Sequence, residues 1–356
     1  MRRPSSVLSG LVLLATLLTV PLGAWAQKLA LSFDEGFNPE KLADARELNG
    51  RLLLALKNHK LQSILFASGS RVDSQEGMDM VRAWQAAGHA VANHSYSHWN
   101  LNKPEVSLTA YLDDIQRNES LLARLPAWSK RYRFPYLKEG STAAKRDGVR
   151  QWLTAQGYQS GAVSIDASDW YYDQRLRAWM AQHPGQEPEA FKQPYIDHLL
   201  DRARSYAELA RQTLGRDPAH VLLLHTNTIN AYFLGDVIVA LRAAGWSLIA
   251  PDDAYKDAMY SHSPEGLPAG ESIVWSLARQ QGVRGLRYPA ESDAYEKPKL
   301  DALGLWRGAK SQQHSSPSIF HYEFMSFLSL ISLSYKCICI NNSRGAGSGR
   351  YCLQSS

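Results

Sequence analysis

Lys28-Leu29-Ala30-Leu31-Ser32-Phe33-Asp34-Glu35-Gly36 is the stretch whose reading decides the fold. Residues 28–33 form a short, mostly apolar run with little alternation, as expected of a strand buried on both faces of a parallel sheet. Two carboxylates and a glycine follow at once, so the chain leaves the sheet on acidic side chains. The pattern recurs: runs at 63–67, 89–93, 161–165, 221–225 and 247–250 read as strands, and segments 44–60, 75–87, 108–125, 142–156 and 234–244 have helical periodicity. Gly88, Gly157 and Gly245 close several of these helices. Strand-helix alternation of this kind predicts a parallel sheet covered by helices, an α/β fold. Asp34-Glu35, His94, Asp166, Asp169 and His225 all fall at or just past predicted strand C-termini, the end at which α/β barrels carry their active sites.

His94-Ser95-Tyr96-Ser97-His98 sharpens the chemistry. Two imidazoles four residues apart lie on one side of a helical turn, so their nitrogens can converge on one ion. A carboxylate from another strand would supply a third protein ligand and leave a coordination position open, which separates a catalytic zinc site from a closed structural one. A metal hydrolase is therefore expected. The other histidines lack this context. His89 opens a strand after Gly88, His59 ends a helix where a cation suits the dipole, and His183, His198 and His220 have no ligand spacing.

The two ends of the chain differ from its body. Arg2-Arg3, the apolar run 7–22 and Ala24-Trp25-Ala26 read as a secretory signal over residues 1–26, which predicts a periplasmic or secreted protein. Residues 314–356 are Ser-rich, then apolar from 324 to 340, then Gly/Ser-rich; they hold all three cysteines and read as a disordered or non-native tail. Serines and Lys336 interrupt the apolar run, so no stable membrane insertion is expected once the signal is removed. Arg2 and Arg3 account for two of the net +5 charges, and Lys336, Arg344 and Arg350 against Glu323 for two more. The body from 27 to 313 is thus nearly neutral, which gives no electrostatic case for nucleic acid as a partner.

Ser-Phe-Asp-Glu-Gly (32–36), His-Ser-Tyr-Ser-His (94–98), Arg-Phe-Pro-Tyr (133–136), Asp-Ala-Ser-Asp-Trp (166–170) and Leu-Leu-His (223–225), in this order, resemble the polysaccharide deacetylase family, the NodB-homology group or carbohydrate esterase family 4. The resemblance spans about residues 28 to 250. It implies a distorted (β/α) barrel and hydrolysis of N-acetyl groups on a GlcNAc-containing glycan. O-acetyl ester hydrolysis and glycan binding without turnover are the neighbouring alternatives. It also implies a divalent metal, usually Zn2+, held by Glu35, His94 and His98, which brings the pKa of a bound water down to about 7. Asp34 would be the general base, paired with Arg133, which keeps it ionised and oriented. His225 would be the general acid, tuned by Asp169; the Tyr136 main-chain N–H would hold the oxyanion, and Trp170 and Leu223 would wall the acetyl pocket.

One position departs from the family pattern, which has Asp-Asp where this chain has Asp34-Glu35. The extra methylene moves the carboxylate by about 1.5 Å, one C–C bond, so ligation by Glu35 calls for a shifted backbone or rotamer. The connection 171–219 is longer than a simple crossover needs and opens with Trp170-Tyr171-Tyr172. Its aromatics suit either a wall of a glycan groove or the packing of inserted helices.

Overall fold

The computed structural model describes residues 27–305. The expected signal (1–26), the tail from 314 and the last part of the expected 27–313 domain lie outside the described residues. Nine strands are present among them: β1 (Lys28–Glu35), β2 (Ile64–Ala67), β3 (Ala90–Asn93), β4 (Trp128–Tyr132), β5 (Lys138–Gly140), β6 (Gln159–Ser160), β7 (His220–His225), β8 (Ser247–Leu248) and β9 (Ala269–Gly270). Between and after them run α1 (Ala45–Asn58), α2 (Gly69–Val72), α3 (Gln75–Ala86), α4 (Leu108–Leu122), α5 (Ala143–Ala155), α6 (Asp169–Gln182), α7 (Lys192–Leu214), α8 (Thr228–Ala243), α9 (Pro251–Ala254), α10 (Ile273–Gln280) and α11 (Asp293–Ala302).

The main sheet is parallel and runs β6-β4-β3-β2-β1-β7. β1 lies between β2 and β7 in this order and is buried along almost its whole length, as its run of apolar residues predicts. One edge of β1 pairs with β7, from Leu29–His220 to Asp34–His225. Its other edge meets β8 at the start and β2 at the end. Segment 161–165, expected as a strand, is instead a crossing. Gly161 N–H donates to Tyr132 O at 2.8 Å on the β4 side, while Ile165 bridges Leu222 and accepts from Leu223 N–H at 3.0 Å on the β7 side. It passes from one neighbour to the other within a few residues, so neither ladder lasts long enough to make a named strand there. The ladder strand of this region is the two-residue β6 just before it. The crossing joins the two edges of the sheet and closes a distorted (β/α) barrel.

The helices match the expected segments to within a few residues at each end, except that α8 starts at Thr228, six residues ahead of the expected 234. Ser74, Ser107, Thr142 and Asn227 cap α3, α4, α5 and α8 by accepting a main-chain N–H of the first turn. α1, α6 and α7 all pack on α8. The 171–219 connection becomes α6 and the 23-residue α7, and its aromatics are core: Tyr171 and Tyr172 are 6% and 2% exposed. Tyr172 stacks on His198 and donates its hydroxyl to Glu296 at 3.0 Å. Packing, and not a groove wall, is what these two tyrosines do. No described helix is long and apolar enough to cross a membrane.

Register sets the site. Partners across a parallel ladder point to the same face, so Asp34 stands beside His225 and Phe66, and Ser32 beside Leu223. Ala92 is in register with Phe66, and His94 follows it two residues on, on the same face. Arg133 follows Tyr132, the partner of Asn93, and lies with its guanidinium carbon 3.9 Å from the Phe66 ring centroid. One inward layer at the C-terminal end of the barrel thus gathers Asp34, His94, Arg133 and His225.

Candidate active site

Asp34 is nearly inaccessible and held from one side. Its Oδ1 accepts from Arg133 Nη1 at 2.5 Å, and its Oδ2 lies 3.5 Å from His94 Nε2. Arg133 is anchored in turn: Nε donates to Gly161 O at 2.8 Å, and Nη2 to Ser32 Oγ at 2.9 Å and Tyr255 OH at 3.2 Å. A cation this well satisfied in the core is no surface residue. Burial nevertheless raises the Asp34 carboxyl above the usual aspartate range, against the opposing pull of Arg133 and His225. The Arg133 guanidinium pulls the same carboxyl down, as an ion-pair partner does, and holds it in one orientation. A carboxylate made more basic by burial is better matched to taking a proton.

Glu35 ends β1 with φ 85°, a left-handed conformation uncommon for a residue other than glycine. The neighbouring Gly36 N–H donates to Thr226 Oγ1 at 2.8 Å. The Glu35 carboxylate is divided between two partners, Oε2 meeting Arg71 Nη2 at 2.9 Å and Oε1 lying 3.5 Å from His98 Nε2. Burial pushes this carboxyl up, but Arg71 and the imidazoles of His98, His225 and His94 outweigh it and hold it at about 2.

The two histidines meet by a route other than the helical turn expected. Residues 94–98 form a non-helical loop in which Ser95 (φ 61°) and His98 (φ 56°) are left-handed. Buried polar groups keep this loop in shape. Asp114 on α4 accepts the N–H groups of Tyr96 and Ser97 at 3.0 and 2.9 Å and the Ser97 hydroxyl at 2.7 Å. Asn93 Oδ1 accepts from Ser95 N–H and from Asn118 Nδ2, both at 2.8 Å. The ring centroids of His94 and His98 end 5.0 Å apart. His94 Nδ1 faces Arg133 O at 2.9 Å, which makes Nδ1 the protonated nitrogen and leaves the Nε2 lone pair toward the mouth. Burial pushes both imidazoles down to about 3, so they stay neutral at physiological pH.

Across the mouth stands the Asp169–His225 pair. His225 Nδ1 lies 2.7 Å from Asp169 Oδ1, while Asp169 Oδ2 accepts His225 N–H at 2.7 Å, Asn230 Nδ2 at 2.8 Å and Asn227 Nδ2 at 3.1 Å. Asn230 also donates to His225 O at 2.9 Å and accepts from Tyr195 OH at 2.6 Å. Burial lowers His225, but the Asp169 carboxylate overrides it and lifts the imidazole to about 10. Asp169 is the first residue of α6, whose N-cap is Ser168, so its side chain serves the histidine and not the helix end. Ser168 N–H is itself received by His198 Nε2 at 2.9 Å, which gives that histidine a supporting place behind the site.

Tyr136 sits in a 3-10 turn at φ 56°, half exposed, with its ring 4.6 Å from that of His98. Leu223 is buried on β7, and Trp170 is partly buried against the core and Tyr171. The barrel mouth therefore brings Asp34, Glu35, His94, His98, Arg133, Asp169 and His225 together, with Tyr136 at its rim. Leu223 is buried in the core, and Trp170, next to Asp169, is partly buried against it. Arg71, Asn93, Asp114, Asn118 and Asn230 escaped the sequence reading. Only Asn93, a polar residue ending an apolar strand, carried a local signal.

Among the described residues no three His, Cys, Asp or Glu side chains form a ready metal cage. The donor chemistry at Glu35, His94 and His98 nevertheless fits a divalent ion: a carboxylate held ionised and two neutral imidazoles, one with its tautomer fixed by a main-chain carbonyl.

Comparison with known proteins bears on the same elements. Residues 25–155 match the family model described as polysaccharide deacetylase. The chain is 27% identical over 154 residues to a peptidoglycan-N-acetylglucosamine deacetylase of Bacillus cereus, covering 41% of this chain and 52% of that protein. It is 25% identical over 149 residues to a chitin deacetylase of Colletotrichum lindemuthianum, covering 40% and 52%. The chain thus spans about half the length of these curated relatives. A solved peptidoglycan deacetylase from Bacillus subtilis is 21% identical with a TM-score of 0.44, covering 65% of this chain and 91% of that one. The Asp34, Glu35, His94, His98 and Arg133 set lies wholly within the matched region, so the similarity to the polysaccharide deacetylases falls on the part of the chain that carries these residues.

Proposed function

We propose that this protein is a periplasmic or secreted, metal-dependent hydrolase that removes N-acetyl groups from a GlcNAc-containing glycan. The observation that carries the reading is the convergence at one barrel mouth of an Arg133-held Asp34, the His94–His98 pair and the Asp169–His225 pair. Deacetylation needs a group to take a proton and a group to give one, facing each other across a reacting carbonyl. Two relatives are named for deacetylation of peptidoglycan N-acetylglucosamine and of chitin, which supports the substrate class. Arg2-Arg3, the apolar 7–22 run and Ala24-Trp25-Ala26 support export.

Glu35, His94 and His98 would hold the ion, most simply Zn2+, which when bound acidifies water and polarises a carbonyl oxygen. The chain's own residues do the rest. Asp34 accepts a proton at the carboxylate that Arg133 fixes in place. Tyr136 presents its main-chain N–H to the oxygen on which negative charge develops. His225, charged and oriented by Asp169 at Nδ1, delivers its Nε2 proton to the leaving amine.

The test pairs metal content with turnover. The purified protein should carry one divalent ion per chain and release acetate from chitin oligomers, and a chelator should abolish the release until metal is restored. Binding of acetylated glycans with no acetate release from any of them, even with added metal, would leave a glycan-binding protein in place of the enzyme.

A further inference from the structure

Tyr136 and Leu137 are consecutive non-glycine residues in the left-handed region, with φ 56° and 54°. Each costs on the order of 1–3 kcal/mol and persists only where its surroundings over-determine it. Within the turn, Leu137 N–H donates to Phe134 O at 3.0 Å and Lys138 N–H to Pro135 O. Further restraint comes from far along the chain. Glu271 N–H donates to Leu137 O at 2.8 Å, and β9 pairs antiparallel with β5, directly after the turn. Position 270 must be glycine: its φ is 120°, and a Cβ there would run into the Leu137 carbonyl oxygen.

Glu271 is the centre of this contact. It is itself left-handed (φ 73°) and 8% exposed. Its carboxylate takes the ammonium of Lys138, two residues past Tyr136, on Oε1 and the Ala290 N–H on Oε2 at 3.3 Å. Two further bonds tie the same segment to the acid side of the mouth. Ile273 N–H donates to Val163 O at 2.8 Å, on the crossing segment, and Glu291 Oε2 accepts from Ser168 Oγ at 3.1 Å, next to Asp169. Glu271, Ile273, Ala290 and Glu291 all lie outside the 25–155 region matched by the family model.

We infer that segment 269–291 is a clamp on the barrel mouth and that Glu271 is a positioning residue, holding the Tyr136 main chain where its N–H meets the developing oxyanion. The catalytic consequence rests on the deacetylase reading above; the clamp itself does not. Glu271 touches no reacting atom in this scheme. It acts through Leu137 O and Lys138, at the C-terminal end of the two residues that must stay left-handed.

The experiment compares wild type, E271A and E271Q on acetate release from a chitin oligomer, metal affinity, and amide hydrogen exchange at residues 136–140. E271A should lower kcat by about 10-fold or more, a fraction of what losing an oxyanion donor costs, and leave KM and metal affinity within about twofold. E271Q keeps one acceptor oxygen, for Lys138, while its NH2 cannot accept from Ala290 N–H, and it should recover part of the rate. Exchange at 136–140 should quicken in E271A more than exchange in β1 or β7. That arm reads the clamp whether or not the protein turns over, so a wild type without acetate release would break the deacetylase reading while still testing Glu271. Unchanged exchange at 136–140 in E271A would overturn the clamp. Faster exchange with unchanged kcat would overturn the positioning role, and so would a uniform quickening across β1 and β7, which marks general destabilisation.

Discussion

The two sides of the barrel mouth are built by opposite means. On the side of Asp34, Glu35, His94, His98 and Tyr136 the backbone itself is bent into place, with Glu35, Ser95, His98, Tyr136 and Leu137 all left-handed. On the side of Asp169 and His225 neither residue departs from ordinary backbone, and hydrogen bonds do the placing: four donors from residues 225–230 converge on one carboxylate. The contrast teaches where each side is fragile. A strained loop fails when an anchor that over-determines it is lost, and a charge-centred network fails when the charge is lost. The first side should lose geometry and ion affinity, the second its proton.

Removing the charge of Asp169 is the sharpest way to break the comparison. D169N keeps the shape of the side chain but leaves His225 without the carboxylate that lifts it to about 10. His225 is then neutral at physiological pH and cannot give a proton to the amine. The sign follows: in the wild type the acid form persists until pH rises through about 10, and in D169N it is lost as pH rises through the ordinary histidine range near 6.5. The rate at pH 8 should fall by roughly 10³- to 10⁴-fold, with the alkaline limb of kcat/KM moved down by several pH units and metal affinity unchanged. An unmoved alkaline limb would take His225 out of the acid role.

How much of this was legible beforehand follows from where each residue's partners lie in sequence. β1, β7 and the helices announce themselves because burial of one face, or of two, leaves a local period in the chain. β4 escaped because Trp-Ser-Lys-Arg-Tyr is half exposed and charged, and its strand state is imposed by pairing with Asn93 and Ser160. Segment 161–165 looked like a strand because it is buried and apolar, yet it pairs with two neighbours in turn. The site residues themselves were readable as types at strand ends. Their supports were not: Asp114 reaches the 94–98 loop from α4 and Asn230 turns back onto Asp169 from the start of α8, and nothing in their local sequence says so. The His94–His98 spacing pointed to the right pair through the wrong local structure, since left-handed residues bring the rings together where a helical turn was expected.

Behind the acid side, Tyr172 tests whether the network is backed by packing. Its ring lies on His198, whose Nε2 receives the N–H of Ser168, next to Asp169. Y172A removes a 2%-exposed ring and leaves Glu296, wholly buried, without its phenol donor. Stability should drop by about 3 kcal/mol or more, read as a lower midpoint in urea with an unchanged slope. A variant that weakened glycan turnover at unaltered stability would instead give Tyr172 a place in the groove.

The smallest effect is expected on the strained side, at Glu35 and Arg71, and it decides whether glutamate is a defect or a fit. Arg71 occupies Oε2 and leaves Oε1 toward His98, so the longer side chain spans two partners from a left-handed backbone. If that span is what directs Oε1 into the mouth, then E35D, one methylene shorter, cannot reach both, and restoring the family's usual aspartate should weaken metal binding. R71A frees the carboxylate to rotate and should act in the same direction. Both variants should lose about 10-fold in affinity for Zn2+, measured by competition with a chromophoric chelator, a loss typical of disturbing the shell around a ligand. Tighter binding in E35D would mean that Glu35 strains the site and that Arg71 holds its carboxylate away from the ion.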